Sequence, residues 1–482
     1  MSWRRLAAGV AGCLALLLWL PRGQAFAASG VSYETSTSSY GGKSFTVSWV
    51  TADLSDPHLR VMPVTAEDGI GHVESFGSLM ERSDAVAGVN GTFFDAYEAD
   101  DSKRHPNGLM IDSGGFVRSG ENVALAIRTN KTALIHRLTT QLNVKVKHGK
   151  SSYSFKPWGV NTYYSDDVAG QVIGYTRAYA SVIDKPGGAK VIVESGKITA
   201  ITESAANVPE SGYVFFIGHT SGNDRYLLPN LHTGDEMELE ATVADGSNWI
   251  TETAAQAWES AIGVGPKLVT AGAVDVDAAR DGFSDPSMVS SANIRSFVGV
   301  DGAGRLVLGT ISSATLQQMA NVLAGFGFQE AMNMDGGASS GLYYDGTMKR
   351  TPGRLLSNAL VIKWYDQPQV QVVVNDRFVN EFRGFVQQDV TMVPFRGILE
   401  RIGAEFSWND QNRVLTAKRG KTELTLRPDV AEAVVNGKPV KLQQAPVIVD
   451  GHIYVPLRFV AETLGATVAW DQALYRTSLQ LK

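Results

Sequence analysis

The densest chemical signal in the sequence runs from Gln329 to Gly346, QEAMNMDGGASSGLYYDG. A short apolar run, Ala331, Met332 and Met334, stops at Asp335. Gly336, Gly337, Ala338, Ser339, Ser340 and Gly341 follow, an extended pattern resumes at Leu342, and the chain turns at Asp345-Gly346. This predicts strand, tight acidic loop, strand. A carboxylate at a strand end, beside residues that lack a Cβ, can meet a ligand at close range. Backbone N–H groups can approach with it. The same residues also suit an ordinary turn that carries Asp.

Two further stretches carry reactive types. The apolar run from Asp84 to Asn90 ends at Asn90-Gly91-Thr92-Phe93-Phe94-Asp95. Asn-Gly usually marks a hairpin, but two aromatics and an acid after it are unusual. Asn90 could hydrogen-bond sugar hydroxyls, and Phe93 or Phe94 could stack on a sugar face. The alternative is a turn with two core phenylalanines. Arg295 sits in NIRSFVGVD, just before an apolar strand that ends at Asp301-Gly302. It reads as a surface charge or as a fork that clamps a phosphate. Trp158 to Tyr164 holds Gly159, Asn161 and two tyrosines, a mix that suits a carbohydrate surface or a loop packed on the core. Asp100 to Asn107 reads as an exposed loop that would suit a lid. Ala261 to Gly272 lacks the glycine spacing and following helix of a dinucleotide site.

The elements around these residues follow from periodicity. Arg305 to Thr310 reads as a strand, and Ser312 or Ser313 can cap a helix from Thr315 to Leu323. The next strand delivers Asp335 at its C-terminal end, where α/β proteins commonly bind ligands. Arg354 to Ile362, containing Ser357-Asn358, closes this part of the chain.

With 482 residues, 44% hydrophobic and 19% charged, the chain predicts two or three folded domains. Its 49 glycines point to many turns and a β-rich fold. A net charge of -6 argues against a nucleic-acid partner. Arg4 and Arg5, the apolar run Leu6 to Leu20, and Ala25-Phe26-Ala27 predict a secretory signal over 1–28 and a bacterial extracellular or cell-surface protein. No other stretch is long enough to span a membrane. The only cysteine, Cys13, lies inside that segment, so the expected mature chain has neither disulfide nor thiol chemistry. Gln367-Pro368-Gln369 marks a linker, giving domains over 29–366 and 367–482. Beyond it the chain repeats itself. Val393-Pro394-x-Arg396 matches Val455-Pro456-x-Arg458, with the prolines 62 positions apart, and Trp408 matches Trp470 at the same offset. The expectation is a mixed, β-rich α/β domain followed by a small α+β domain made of a duplicated unit.

Several segments together resemble the phosphodiester glycosidase family. They are NGTFFD at Asn90, PNGLM at Pro106, AIGVGPKLV at Ala261, IRSFVGVD at Ile294 and NMDGGASS at Asn333. The part beyond about 370 resembles the domain named after the N-terminal domain of copper amine oxidases. The resemblance implies a site lined by Asn90, Gly91, Arg295, Asp335, Gly336 and Gly337, with Phe94, Ser339, Arg354 and Asn358 added as substrate contacts. The implied reaction is hydrolysis of a glycosyl-1-phosphodiester. Arg295 would bind phosphate, Asp335 would act as base or nucleophile, and Asn90 would orient the sugar. The expected partner is a phosphorylated glycan or cell-wall polymer. No cofactor is required; Asp95 or Asp301 could serve as a second carboxylate or share a divalent metal with Asp335. Ala338 and Ser296-Phe297 depart from the family pattern, which bears on substrate identity. A rival reading is a non-catalytic wall-polysaccharide binder. Copper oxidation is disfavoured, since the repeated part holds one histidine, His452, and no cysteine.

Overall fold

A computed structural model describes residues 30–245, 248–253, 258–375, 377–378, 384–449 and 451–481. The expected signal segment, 1–28 with Cys13, lies outside the described residues. No helix among the described residues is long and apolar enough to cross a membrane.

The β-rich expectation holds, with 51% strand and 11% helix. The α/β expectation needs correction, because the sheets are almost wholly antiparallel. Among the described strand pairs, only Gly159–Val160 with Val172–Tyr175, and Gln369–Val374 with Arg476–Leu481, run parallel. The predicted strand–helix–strand unit exists, from Leu306–Ala314 through Leu316–Gly325 to Glu330–Asn333. Its two strands are not neighbours, since Asn293–Val300 runs between them antiparallel to both. The helix cap is Thr315, not Ser312 or Ser313. Thr315 accepts from the Gln318 N–H, and the Gln318 side chain returns the bond, while the strand continues through both serines.

Three sheets enclose the main core. A seven-stranded sheet carries Asn293–Val300 and Glu330–Asn333, and a five-stranded sheet carries Ala85–Asn90, Leu342–Tyr344 and Asn358–Trp364. A thirteen-stranded sheet is built mostly from the long excursion between Met110 and Gly263. Val298 and Met332 from the first, Val89 and Leu360 from the second, and Leu125 and Ile262 from the third meet in one buried cluster. Alternate side chains of one strand enter different cores, Leu360 and Ile362 this one and Ala359 and Val361 another, so a one-residue slip would exchange the two faces.

Beyond residue 369 a second body has its own core, including Val393, Ile398, Leu415, Val455, Val460 and Leu479. The two Val-Pro strands lie side by side, Val393 opposite Val455, and each leads into a seven-residue helix, Phe395–Arg401 or Leu457–Thr463. Gln371 ties this body to the first, donating to Glu259 Oε2 at 3.0 Å.

Candidate active site

The acidic loop is a crossover between two sheets. Glu330–Asn333 ends in the seven-stranded sheet, with Asn333 opposite Phe297. Leu342–Tyr344 begins in the five-stranded sheet, with Leu342 opposite Val89. The residues between must reverse direction in little space. Gly337, at φ +60, opens a short 3-10 turn over Gly337–Ser339, and Ser339 and Ser340 N–H groups close it onto Gly336 and Gly337. The predicted strand, loop and strand are therefore present, and Asp345-Gly346 turns into Thr347–Arg350 with positive φ at both residues.

Asp335 stands half-buried at the start of this loop. Burial pushes its carboxyl up from 3.8 to about 6. Hydrogen bonds from Ser339 and the Gly336 N–H, and the charge of Arg354, pull the other way without cancelling the burial. The Gly336 N–H donates to Oδ1 at 2.9 Å. A carboxyl set near 6 can exchange a proton close to neutral pH, which a solvated aspartate does poorly.

Asn90 is buried and holds the loop's backbone. Its Nδ2 donates to the Asp335 carbonyl at 2.7 Å, and its Oδ1 accepts from the Gly341 N–H at 3.0 Å. Each end of the amide bonds the loop's backbone, where the sequence predicts a contact to sugar hydroxyls. Asn90-Gly91 is also no hairpin: the Gly91 N–H donates to the Asn358 carbonyl at 3.1 Å. A Cβ on Gly91 would lie 1.8 Å from Asn358 Oδ1, so only glycine leaves Asn358 its place. Asn358 is buried too, accepting from the Thr92 N–H at 2.8 Å and donating to Thr92 Oγ1 at 3.0 Å. Its Nδ2 also donates to Ser357 Oγ at 2.7 Å, so it braces the two strands from within. Phe94 joins the core with Phe76, Leu79 and Met80, whereas Phe93 keeps partial exposure, its ring 5.9 Å from that of Phe283.

Arg295 is the largest departure from expectation. It is 2% exposed, and its guanidinium donates to the carbonyls of Ala314 (2.7 Å), Met288 (2.7 Å) and Ser291 (2.8 Å). A longer contact of 3.5 Å reaches Asn333 Oδ1. No carboxylate offsets its burial, which pushes its pKa down to about 10. The side chain runs beneath the acidic loop, where a Cβ on Gly336 would lie 3.9 Å from Arg295 Cγ. Its Nε and Nη2 are taken up by backbone carbonyls and Nη1 has only the 3.5 Å contact, so the fork is held within the fold. The cation that acts on Asp335 is instead Arg354, half-buried, with its guanidinium 5.0 Å over the ring of Tyr97. Tyr97 is 91% exposed. Ser339 is buried and bonds Asp335.

Two buried polar residues, one beside the acidic loop and one beneath the expected lid, escaped the sequence reading. Asn333 is buried in an apolar strand and donates to Met334 O at 2.7 Å and Gly265 O at 3.3 Å. A lone amide in an apolar strand two positions before the acid is the signal that could have found it. His105 is buried with its ring stacked 4.1 Å from Tyr163, and burial pushes its pKa down to about 4. It fastens the expected lid: Asp95 and Asn107 N–H groups bond His105 and Phe93 carbonyls at 3.1 and 2.7 Å. The tip from Tyr97 to Ser102 is exposed and the stem is fixed.

Asp301 is bonded to Arg305 at 2.7 Å, and Asp95 accepts from Asn107 at 3.3 Å; neither contacts Asp335. Clefts of about 750, 490 and 760 Å³ lie elsewhere, and Asp335 lines none of them. The 490 Å³ cleft is bounded by Asn107, Arg118, Trp158 and Tyr164, so the aromatic stretch does flank open space. Asn161 is buried there, bonded to Val117 O at 2.7 Å and Thr176 Oγ1 at 2.8 Å.

The sheets and the acidic crossover loop define a β-rich protein with a half-buried carboxylate, its pKa raised by burial, at the end of a strand. The chain carries a phosphodiester glycosidase domain, matched across residues 187–363, and a copper amine oxidase N-terminal domain, matched across 373–479. The first match includes Arg295, Asp335, Arg354 and Asn358 but not Asn90. Among solved structures, a hypothetical protein from Synechocystis is similar at TM-score 0.58 and 19% identity, over 70% of this chain and 62% of that one. This chain thus spans less than two thirds of that protein's length. A Burkholderia pseudomallei protein described as exported is similar at TM-score 0.53 and 19% identity, over 66% of this chain and 74% of that one. These likenesses support the fold. The catalytic domain of zebrafish N-acetylglucosamine-1-phosphodiester alpha-N-acetylglucosaminidase matches at TM-score 0.35 and 13% identity, over 70% of this chain and 83% of that one, too loosely to add to it. No curated protein matches the chain.

Proposed function

We propose that the chain is a secreted glycosidase that hydrolyses a glycosyl-1-phosphodiester, with Asp335 as the catalytic carboxylate. The observation that carries this is the Asp335 carboxyl, raised to about 6 in a loop fixed by Asn90, within the span of the domain match. Asp335 takes a proton from water as the water oxygen bonds the anomeric carbon. The anomeric C–O bond breaks and the phosphate leaves as a monoester, already a weak base, so no strong general acid is needed. Arg354 meets the phosphate, with Tyr97 beside it, and Arg295 supports the loop from below. The substrate is a phosphorylated glycan or wall polymer outside the cell, reached through the signal segment over 1–28. The catalytic part spans 29–366. The part over 367–482 is a duplicated unit, supported by the side-by-side Val393 and Val455 strands; a superposition of the two copies that left their helices out of register would refute the duplication.

A second reading is favoured by the cleft at Trp158 and Tyr164, which could hold a sugar without turnover. A panel of sugar-1-phosphodiesters, with the parent chain and Asp335→Asn side by side, separates the two. Release of sugar by the parent alone supports catalysis. Equal retention without release by both supports binding.

A further inference from the structure

We propose that His148, His232 and Asp235 form a binding site for one divalent transition-metal ion of the zinc class. His148 ends the Ala133–His148 strand. His232 and Asp235 lie in the turn that leads into Glu236–Asp245, the antiparallel neighbour of that strand. One ligand atom from each of the three lies within 4.8 Å of the other two. His148 Nδ1 is 2.6 Å from Asp235 Oδ1, and His232 Nδ1 is 3.4 Å from Asp235 Oδ2. Each carboxylate oxygen therefore faces a different imidazole, and the two rings sit 4.7 Å apart.

Burial divides the labour. The Asp235 side chain is 4% exposed and fixed, with Oδ2 accepting from the His232 N–H at 3.0 Å. The His148 and His232 side chains are 60% and 52% exposed, so their rings can turn onto an ion. Ligand atoms in a tetrahedral zinc site, each ~2.0–2.1 Å from the metal, stand ~3.3 Å apart. The rings need only a small adjustment to reach that spacing. Two imidazole nitrogens and one carboxylate suit zinc, copper or nickel, whereas calcium and magnesium prefer oxygen ligands alone. His219 is the useful contrast. Its Nδ1 contacts Asp224 at 2.7 Å and its Nε2 contacts Glu203 at 3.0 Å, so the two carboxylates lie on different ring nitrogens; among the described residues only His148, His232 and Asp235 converge. No residue of the metal site belongs to the Asp335 loop, so an ion here would staple a turn to a strand and owes nothing to the glycosidase reading.

The test is calorimetric titration of zinc into the chelator-stripped, untagged chain, followed by cobalt absorption spectroscopy. The expected result is one ion per chain and a visible cobalt band. His148→Ala and His232→Ala should each weaken binding by about tenfold or more, the factor that loss of even an outer-shell partner costs. His219→Ala should bind as the parent does. The spectrum of the parent stands whether or not a variant folds. No zinc heat and no cobalt band in the parent, unchanged affinity in both histidine variants, or an equal loss in His219→Ala would each overturn the site.

Discussion

Asn90 and Asp335, 245 residues apart in sequence, are joined by a 2.7 Å hydrogen bond from the Asn90 amide to the Asp335 carbonyl. The same amide accepts from Gly341, so one buried side chain grips both ends of the acidic loop. Asn90→Ala should free that loop and leave buried polar groups unpaired, costing about 2–3 kcal/mol of stability. Turnover should fall further than substrate affinity, because the group lost orients the acid. Steady-state kinetics beside a urea melt would show this; a pure rise in KM would assign Asn90 to substrate binding after all.

The two arginines should separate cleanly. Arg295→Lys cannot reproduce three carbonyl contacts from one planar fork, so it should lower stability by about 3 kcal/mol. Arg354→Gln should melt close to the parent, yet raise KM for a phosphodiester about tenfold or more, as loss of a charge-assisted phosphate contact does. The reverse pattern, a stable Arg295→Lys with weakened substrate binding, would return the phosphate to Arg295.

How far this was legible from sequence depends on the residue. The acidic loop was readable because glycines and a carboxylate at a strand end have local meanings. Asn90, Gly91 and Asn358 were readable as members of the site but not in their roles. Whether an amide faces ligand or backbone depends on a partner hundreds of positions away, and Asn90 finds its partner in Asp335. Arg295 misled for a different reason: its carbonyl partners, Ser291, Met288 and Ala314, lie only 4, 7 and 19 positions away, but a backbone carbonyl leaves no mark in the sequence. The α/β expectation failed at one point. Periodicity gives a strand, a helix and a strand, but cannot show that Asn293–Val300 enters between the two strands.

His105 gives the chain an acid limit. Burial holds its pKa at about 4, below its ordinary 6.5. The unfolded chain thus binds the proton more readily. The neutral ring's contribution is complete above about pH 6.5 and is lost as pH falls toward 4. Stability should drop by about 2–3 kcal/mol across that window from this group. Melting curves from pH 7 to 4, with His105→Gln as the comparison, would show a flatter acid slope in the variant. Parallel slopes would remove His105 as the cause.

Asp335 titrates with the opposite consequence. Its folded pKa, about 6, lies above the unfolded 3.8, so the folded chain holds the proton longer. Stability from this group is present below about pH 4 and is lost as pH rises through 6. Asp335→Asn should therefore melt later than the parent at pH 7, by about 1–3 kcal/mol. A parent activity that declines below pH 6 should accompany this, since the protonated acid cannot serve as base.

Release of free sugar from a sugar-1-phosphodiester by the parent and by Asp335→Asn, at pH 7 and with both chains shown to be folded, is the most direct measurement. The expected result is steady release by the parent and none by the more stable variant. Equal release from both would mean that the reaction runs without this carboxylate, and the site described here would not be where it happens.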